Sequence, residues 1–209
     1  MARHDSIDWQ REQTFRLSGK DLRYFYHYHN CGWPPRRCTE RSVELAIADY
    51  WLNCMDPAGV YEIGAVTPYY WPKRVGCVID PVDPLPGVTL RKSLFSVDLS
   101  SHPVLSISTV EHVGTEDYGI RDDKQGPIEA LQKVWSQSPV FLITVPVGYN
   151  TKLDEFIFNR SRFPDDVRVR FLVRLSETKW REEKRLAARI PYGPKWANAL
   201  VVIERGNIL

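Results

Sequence analysis

Two short apolar segments with acidic residues at their ends limit the possible folds of this 209-residue chain more than any other feature. The first covers residues 60–63, includes Glu62 and stops at Gly64, where the lack of a side chain allows a tight turn or the close approach of a ligand. The second covers residues 77–79 and is followed by Asp80, 18 residues after Glu62. Nucleotide-binding α/β sheets place a carboxylate for the ribose hydroxyls at about this spacing. The pattern predicts two strands with a nucleotide site at their ends, although many α/β proteins have such a strand end without a nucleotide.

The remaining hydrophobic pattern extends this pair of strands into a larger sheet. Residues 140–145 are continuously apolar, which is typical of a buried central strand in a parallel sheet. Residues 167–175 alternate between apolar and mostly basic side chains, which predicts a half-exposed strand. Further strands are predicted over residues 92–97, 104–110 and 197–203, and helices over residues 39–54, over residues 127–135 and after Asn150. We therefore expect one Rossmann-like α/β domain, with a seven-stranded, mostly parallel sheet, an antiparallel last strand and helices on both faces.

The first 38 residues differ in composition from the rest of the chain. They contain many aromatic residues and three histidines, without a sustained helical or strand period. We expect residues 1–38 to form an aromatic-rich flap packed on a domain of residues 39–209. His27 and His29 alternate with Tyr26 and Tyr28. They are either structural residues of a short extended segment or ligand-binding residues that the flap adds to a cleft.

The charge and the composition of the chain argue against several classes of partner. A net charge of +2 at pH 7 indicates no large surface for nucleic acid or anionic membrane. No apolar stretch approaches the roughly 20 residues that span a bilayer, and the N-terminus lacks the apolar core of a signal peptide. Four cysteines at irregular spacing indicate reduced thiols rather than a disulfide framework or a zinc site. We expect a cytoplasmic protein that binds neither nucleic acid nor membrane.

Four segments in a fixed order resemble the class I S-adenosylmethionine-dependent methyltransferases, in the group with a Glu-His-Val turn after the fourth strand. They are residues 60–64, 78–80, 107–113 and 141–150. Residues 24–44, ahead of the first strand, also resemble the leader of some uncharacterised bacterial members. The sequence departs from the family pattern at the second and third glycines of the first turn, which are Val66 and Pro68 here. The resemblance implies a Rossmann-like fold and S-adenosyl-L-methionine as the cofactor.

The resemblance also implies roles for residues at the first three strand ends. Glu62 and Gly64 are expected beside the methionine part of the cofactor. Asp80 is expected to accept hydrogen bonds from the ribose hydroxyls, as a carboxylate can. Asp98 is expected near the adenine, provided that the strand over residues 92–97 forms.

The turn after the fourth predicted strand contains the candidate catalytic residue. The resemblance implies that Ser108 and Glu111 line the floor beside the sulfonium of the cofactor. His112 is suited to remove a hydroxyl proton from the acceptor, because histidine titrates near neutrality; a structural role at the strand end is the alternative. Some related enzymes bind a divalent metal with a Glu-x-x-Glu-His turn, but Ser108 replaces the first glutamate. Two ligands rarely hold a metal without help from elsewhere, such as Asp117, so no metal site is predicted.

The expected substrate side of the site combines two parts of the chain. Tyr149 and Asn150, after the fifth predicted strand, join His27 and His29 as the candidate substrate-binding residues. The expected function is methyl transfer to an oxygen of a small molecule or sugar. The alternative is a non-catalytic Rossmann-like module with a degenerate cofactor site, acting as a binding or scaffold protein. Nucleic-acid methylation is disfavoured because the chain lacks a basic surface pattern and an Asn/Asp-Pro-Pro-Tyr/Phe motif.

Overall fold

A seven-stranded β-sheet forms the centre of the computed structural model, which describes residues 13–26, 39–115 and 126–209. An amino-terminal hairpin of β1 (Thr14–Leu17) and β2 (Lys20–Arg23) lies outside this sheet. The strands of the sheet, in chain order, are β3 (Tyr61–Ile63), β4 (Cys77–Ile79), β5 (Val104–Ile107), β6 (Phe141–Pro146), β7 (Arg168–Ser176), β8 (Lys179–Glu183) and β9 (Ala199–Arg205). Their order across the sheet is β4-β3-β5-β6-β9-β7-β8.

The pairing of these strands gives a Rossmann-like topology. Strands β4, β3, β5 and β6 pair in parallel, and β9, the last strand of the chain, pairs antiparallel with both β6 and β7. Strand β7 therefore runs in the same direction as β6, and β8 returns beside β7 as its hairpin partner. The predicted fold class is confirmed: the sheet is mostly parallel and its last strand is antiparallel. Because the parallel strands share one direction, their carboxyl ends meet at a single edge of the sheet.

Helices cover both faces of the sheet, as predicted. They are α1 (Glu40–Asn53), α2 (Thr67–Tyr70), α3 (Gly126–Gln137) and α4 (Thr151–Ile157). One apolar cluster joins α1 and the β1–β2 hairpin to the sheet, and a second joins α3 and α4 to the opposite face. Leu142 and Ile143 of β6 belong to different clusters, because successive side chains of a strand point to opposite faces. The core is therefore split in two by the sheet, with β6 at its centre.

The strand predicted over residues 92–97 does not form. A 3-10 turn, Leu94–Ser96, lies there, and a single bridge between Ile79 and Leu90 extends the sheet beyond β4. Ser93 contributes to this difference because its side-chain oxygen accepts the N–H of Phe95 and its carbonyl accepts the N–H of Ser96. Such local hydrogen bonds compete with the ladder of a sheet.

The seventh strand is β8, which the hydrophobic pattern did not predict. Its sequence, Lys-Trp-Arg-Glu-Glu, is almost entirely charged, and Trp180 alone is buried. The hairpin at the amino terminus packs beside it: the Ser18 N–H donates to the Glu182 carboxylate (2.7 Å), and the Tyr24 hydroxyl accepts the Trp180 N–H (2.8 Å). Residues 13–26 are the described part of the predicted flap, and they lie on the sheet through these contacts.

Two general properties concern the environment of the protein. Among the described residues, no helix has the length and the apolar character needed to cross a membrane. Cys54 is exposed and Cys77 is buried, and both are free thiols. Cys31 and Cys38 lie outside the described residues.

Candidate functional site

A cavity of about 850 Å³ opens at the edge of the sheet where β3, β4 and β5 end. Its walls come from the turn after β3, the segment after β4 and the turn after β5, with Tyr69 and Tyr70 of α2 and Arg41 of α1 completing it. In open α/β sheets, ligands bind outside the carboxyl ends of the strands. The volume lies within the usual range for small-molecule sites. This cavity is therefore the candidate functional site.

Glu62 and Gly64 shape the turn after β3 in different ways. Glu62 is fully buried and does not line the cavity; its carboxylate accepts the N–H groups of Val66 (3.2 Å) and Thr67 (2.7 Å) and the Thr67 hydroxyl. Burial raises the pKa of Glu62 to about 7, against these hydrogen bonds, which lower it. Gly64 does line the cavity, with φ at 84°, and a Cβ there would lie 2.2 Å from Oγ1 of Thr109. Glu62 therefore holds the turn from behind, while Gly64 lets it pack closely on the next turn.

Asp80 lines the cavity and ties two of its walls together. Its Oδ1 accepts the N–H groups of Val82 (2.9 Å) and Asp83 (2.8 Å), which folds the segment after β4 back on itself. Its Oδ2 accepts the N–H of Ala65 (3.1 Å), in the turn after β3. A carboxylate oxygen can accept two hydrogen bonds, so Oδ2 retains a lone pair for a ligand. The structure thus brings Gly64 and Asp80 together, as the spacing of the sequence predicted.

Three large apolar side chains around this cavity remain exposed. Tyr69, Val82 and Phe95 are 45%, 42% and 45% exposed, and we call them the apolar wall. Exposed apolar side chains that gather around one cavity mark a ligand surface, whereas scattered ones are ordinary. Phe95 belongs to the 3-10 turn that replaces the predicted third strand. The apolar wall therefore provides a surface for a flat, apolar group.

Arg41 is a cavity residue to which the sequence pattern assigned no role. Its Nη1 donates to the Ile107 carbonyl (3.4 Å) and lies 3.4 Å from Oε2 of Glu44. The guanidinium has five N–H donors in a planar fork, so donors beyond Nη1 are available to an anion at the cavity. Arg41 lies on α1, far from any strand end in sequence, and its position depends on how α1 packs against the sheet.

The turn after β5 places Ser108 and His112 in the cavity wall and Glu111 behind it. Ser108 has a positive φ of 40°, and its hydroxyl donates to the Glu44 carboxylate. The Nε2 of His112 lies 3.8 Å from Oε1 of Glu111. Glu111 is completely buried, and burial raises its pKa well above the usual range, with Glu44 raising it further. Of the three residues, Ser108 and His112 face the cavity, and Glu111 contacts it through His112.

The two predicted substrate residues after β6 have different surroundings. Tyr149 is partly exposed, and its ring centroid lies 4.5 Å from that of His112 and 5.8 Å from that of Tyr192. Asn150 caps α4, since its side-chain oxygen accepts the Leu153 N–H (3.0 Å), and its amide donates to the Glu111 carbonyl (3.2 Å). Tyr149 therefore extends the surface beside His112, whereas Asn150 holds the backbone of this region.

The condition for placing Asp98 beside the adenine is not met. Since the third predicted strand does not form, Asp98 is not at a strand end; it lies before the start of β5, at the opposite edge of the sheet, and does not line the cavity. It is exposed, and its carboxylate accepts the N–H of Ser100 (2.9 Å), which lowers its pKa. His27, His29 and Asp117 lie outside the described residues, so their roles stay predictions.

No protein-family model and no curated protein sequence matches the chain. Among solved structures, the chain is similar to that of the 16S rRNA methylase RmtB, with 13% identity and a TM-score of 0.41. The similarity covers 80% of this chain and 64% of the methylase chain, so less than two thirds of that protein is matched. The functional conclusion therefore depends on the geometry of the cavity.

Proposed function

We propose that the protein is an S-adenosylmethionine-dependent methyltransferase that methylates an oxygen of a small molecule or sugar. The observation that supports this most is that three chemically different groups lie in one cavity, at the edge of the sheet where the parallel strands have their carboxyl ends. They are the Asp80 carboxylate, the apolar wall and the Arg41 guanidinium. This combination suits a ligand that has hydroxyls, a flat base and an anionic end.

Three parts of S-adenosylmethionine have a matching group in this cavity. Oδ2 of Asp80 has a lone pair for a ribose hydroxyl. The apolar wall offers Tyr69 and Phe95 to the adenine, and Arg41 offers N–H groups to the carboxylate of the methionine part. Val66, which replaces a family glycine, lines the same cavity. The residues present therefore fit the cofactor without the usual three-glycine turn.

The side chains beside the cavity suggest how the chain assists the transfer. When bound, S-adenosylmethionine supplies a methyl group that its sulfonium sulfur makes electrophilic. Alignment of the acceptor oxygen with that methyl group provides much of the rate, and this task falls to the residues of the cavity wall. His112 is suited to take the proton that the acceptor hydroxyl loses as its oxygen forms the new C–O bond. Tyr149 packs against the His112 ring and limits its orientation.

Isothermal titration with S-adenosylmethionine and S-adenosylhomocysteine tests this function directly. We expect both to bind, and Asp80→Ala to weaken binding by about 1.5 to 3 kcal/mol, because charge-assisted hydrogen bonds are lost. Asp98→Ala is the matched control, since it removes an exposed acid at the other edge of the sheet and should leave the affinity unchanged. If neither ligand gives heat or a thermal shift at millimolar concentration, the catalytic proposal falls and the non-catalytic binding module replaces it.

A further inference from the structure

Four acidic side chains gather behind the wall that contains Arg41, Ser108 and His112. They are Glu40 and Glu44 of α1, Glu111 after β5 and Asp154 of α4, and we call them the carboxylate cluster. Electrostatic coupling links Glu44 to Glu40 and Glu111, and Glu111 to Asp154. The cluster adjoins the cavity, because Ser108 donates to Glu44 and His112 lies 3.8 Å from Glu111.

The oxygens of this cluster have fewer hydrogen bonds than buried oxygens normally have. In the described part of the chain, eight buried side-chain polar atoms have no hydrogen-bond partner, and five of them are oxygens of these four carboxyl groups. Both oxygens of Glu111 are among the five, and its side chain is 0% exposed. Buried polar groups in folded proteins are nearly always hydrogen-bonded. The concentration of unpartnered acceptors at one place indicates a site for hydrogen-bond donors that the described residues do not supply.

The charges around the cluster are unbalanced. Arg41 lies 3.4 Å from Glu44, and Arg189 interacts electrostatically with Asp154. Among the residues that the structure describes, two guanidinium groups therefore face four carboxyl groups. Burial raises the pKa of Glu40, Glu111 and Asp154, the last to about 6, because the loss of water disfavours the ionised form of each carboxyl group. A cation bound at the cluster would favour the ionised forms of these groups and lower their pKa values, so that its binding releases protons.

We propose that the carboxylate cluster is the acceptor subsite and that it binds a cationic amine next to the hydroxyl that is methylated, as in an amino alcohol or an amino sugar. An ammonium group has three N–H donors and a positive charge, which match the unpartnered oxygens and the excess of carboxyl groups. His112 lines the cavity and lies 3.8 Å from Glu111, so an amine held near Glu111 would place a neighbouring hydroxyl beside the imidazole. This inference rests on the proposed methyltransferase function, which it extends to the class of acceptor.

Two matched pairs of probes test the proposal: glucosamine with glucose, and ethanolamine with ethylene glycol. Each is titrated into the protein saturated with S-adenosylhomocysteine. We expect at least one amine to bind about 10- to 100-fold more tightly than its neutral partner, as a hydrogen bond to a buried charge allows. Binding of the amine should release protons, which calorimetry in two buffers of different ionisation enthalpy measures. Equal affinity within both pairs overturns the proposal.

Glu111→Gln identifies the cluster as the source of the preference. This variant keeps the size of the side chain and removes its charge, so we expect the preference for the amine and the proton release to disappear together. Asp98→Asn makes the same change from acid to amide at the opposite edge of the sheet and should preserve both. A preference that survives in Glu111→Gln, or disappears in Asp98→Asn, contradicts the proposal.

The same titrations separate this proposal from two others. If Glu111→Gln weakens the binding of S-adenosylmethionine but not that of S-adenosylhomocysteine, the cluster stabilises the sulfonium of the cofactor, and the acceptor proposal is wrong. If S-adenosylhomocysteine binds and neither amine is preferred, the acceptor class is wrong while the proposed function stands. If neither cofactor form binds, the proposed function fails and the acceptor role fails with it, whatever the amines do.

Discussion

The buried carboxyl of Glu62 should make the stability of this protein depend on pH in a direction opposite to that of most acidic residues. Its pKa is about 7 in the folded protein, against an ordinary value of 4.5, because burial outweighs the hydrogen bonds from Thr67 and Val66. Ionisation in the folded state therefore costs about 3 kcal/mol more than in the unfolded chain. Since the folded pKa is the raised one, the stability is fully present below the unfolded pKa and is lost as the pH rises through about 7.

Glu62→Gln isolates this contribution. The amide keeps an acceptor oxygen for the N–H groups of Val66 and Thr67, but it does not titrate. We expect the free energy of unfolding of the wild type to decrease between pH 5 and pH 8. In the variant this decrease should be smaller by about 2 to 3 kcal/mol. Urea unfolding across this pH range measures the difference. Glu111 and Asp154 also have raised pKa values, but both residues are present in both proteins, so their contributions to the difference cancel.

The control for this experiment is Asp98→Asn. Asp98 has a lowered pKa, so it does not titrate between pH 5 and pH 8. Its removal should therefore leave the pH dependence of the free energy of unfolding unchanged. If the free energy of unfolding changes equally with pH in the wild type and in Glu62→Gln, then Glu62 is ionised throughout this pH range. In that case the hydrogen bonds from the turn outweigh burial, and the reasoning from desolvation is wrong.

Three further predictions concern the cavity. Arg41→Met should weaken the binding of S-adenosylhomocysteine about 10- to 100-fold but leave the binding of methylthioadenosine, which lacks the amino-acid part, unchanged. Equal losses of affinity for the two ligands would mean that Arg41 does not bind the carboxylate. His112→Ala should retain affinity for S-adenosylhomocysteine and lower turnover by about 10² to 10⁴, whereas a variant that unfolds or loses the cofactor identifies a structural residue. Gly64→Ala should lower the free energy of unfolding by about 1 to 3 kcal/mol in urea. Its Cβ would lie 2.2 Å from Oγ1 of Thr109 at a φ of 84°, so unchanged stability would exclude this packing of the turn.

Some features of the site could be predicted from the sequence because they depend on local patterns. The apolar runs before Gly64 and Asp80 define two strands, and strands of a parallel sheet bring such ends to one edge. The Ala65 N–H accordingly donates to Oδ2 of Asp80, across the two turns. The position of His112 beside the same cavity follows from the end of β5 in the same way.

Other hydrophobic patterns were misleading because local hydrogen bonds or tertiary contacts outweigh them. The apolar content of residues 92–97 favours a strand, yet hydrogen bonds of the Ser93 side chain and carbonyl give a 3-10 turn, and Asp98 loses its predicted place. Strand β8 is nearly all charged, and it forms because β7 and the amino-terminal hairpin pair and pack with it. Glu62 has the expected position in the chain, but its carboxylate turns into the loop, where N–H groups need an acceptor.

The sequence by itself determined six of the seven strands of the sheet and the turns at which Gly64, Asp80 and His112 lie, since hydrophobic periodicity and glycine placement are properties of short segments. Only the tertiary structure decided which side chains from distant segments share the site. The apolar face of α1 is buried against the sheet, and this packing places the polar residues of α1 at the edge where the parallel strands have their carboxyl ends. Arg41 therefore lines the cavity, and Glu44 is electrostatically coupled to Glu111. The partners of a buried charge depend on this packing, which joins segments more than 60 residues apart, as in the contact of Ser108 with Glu44.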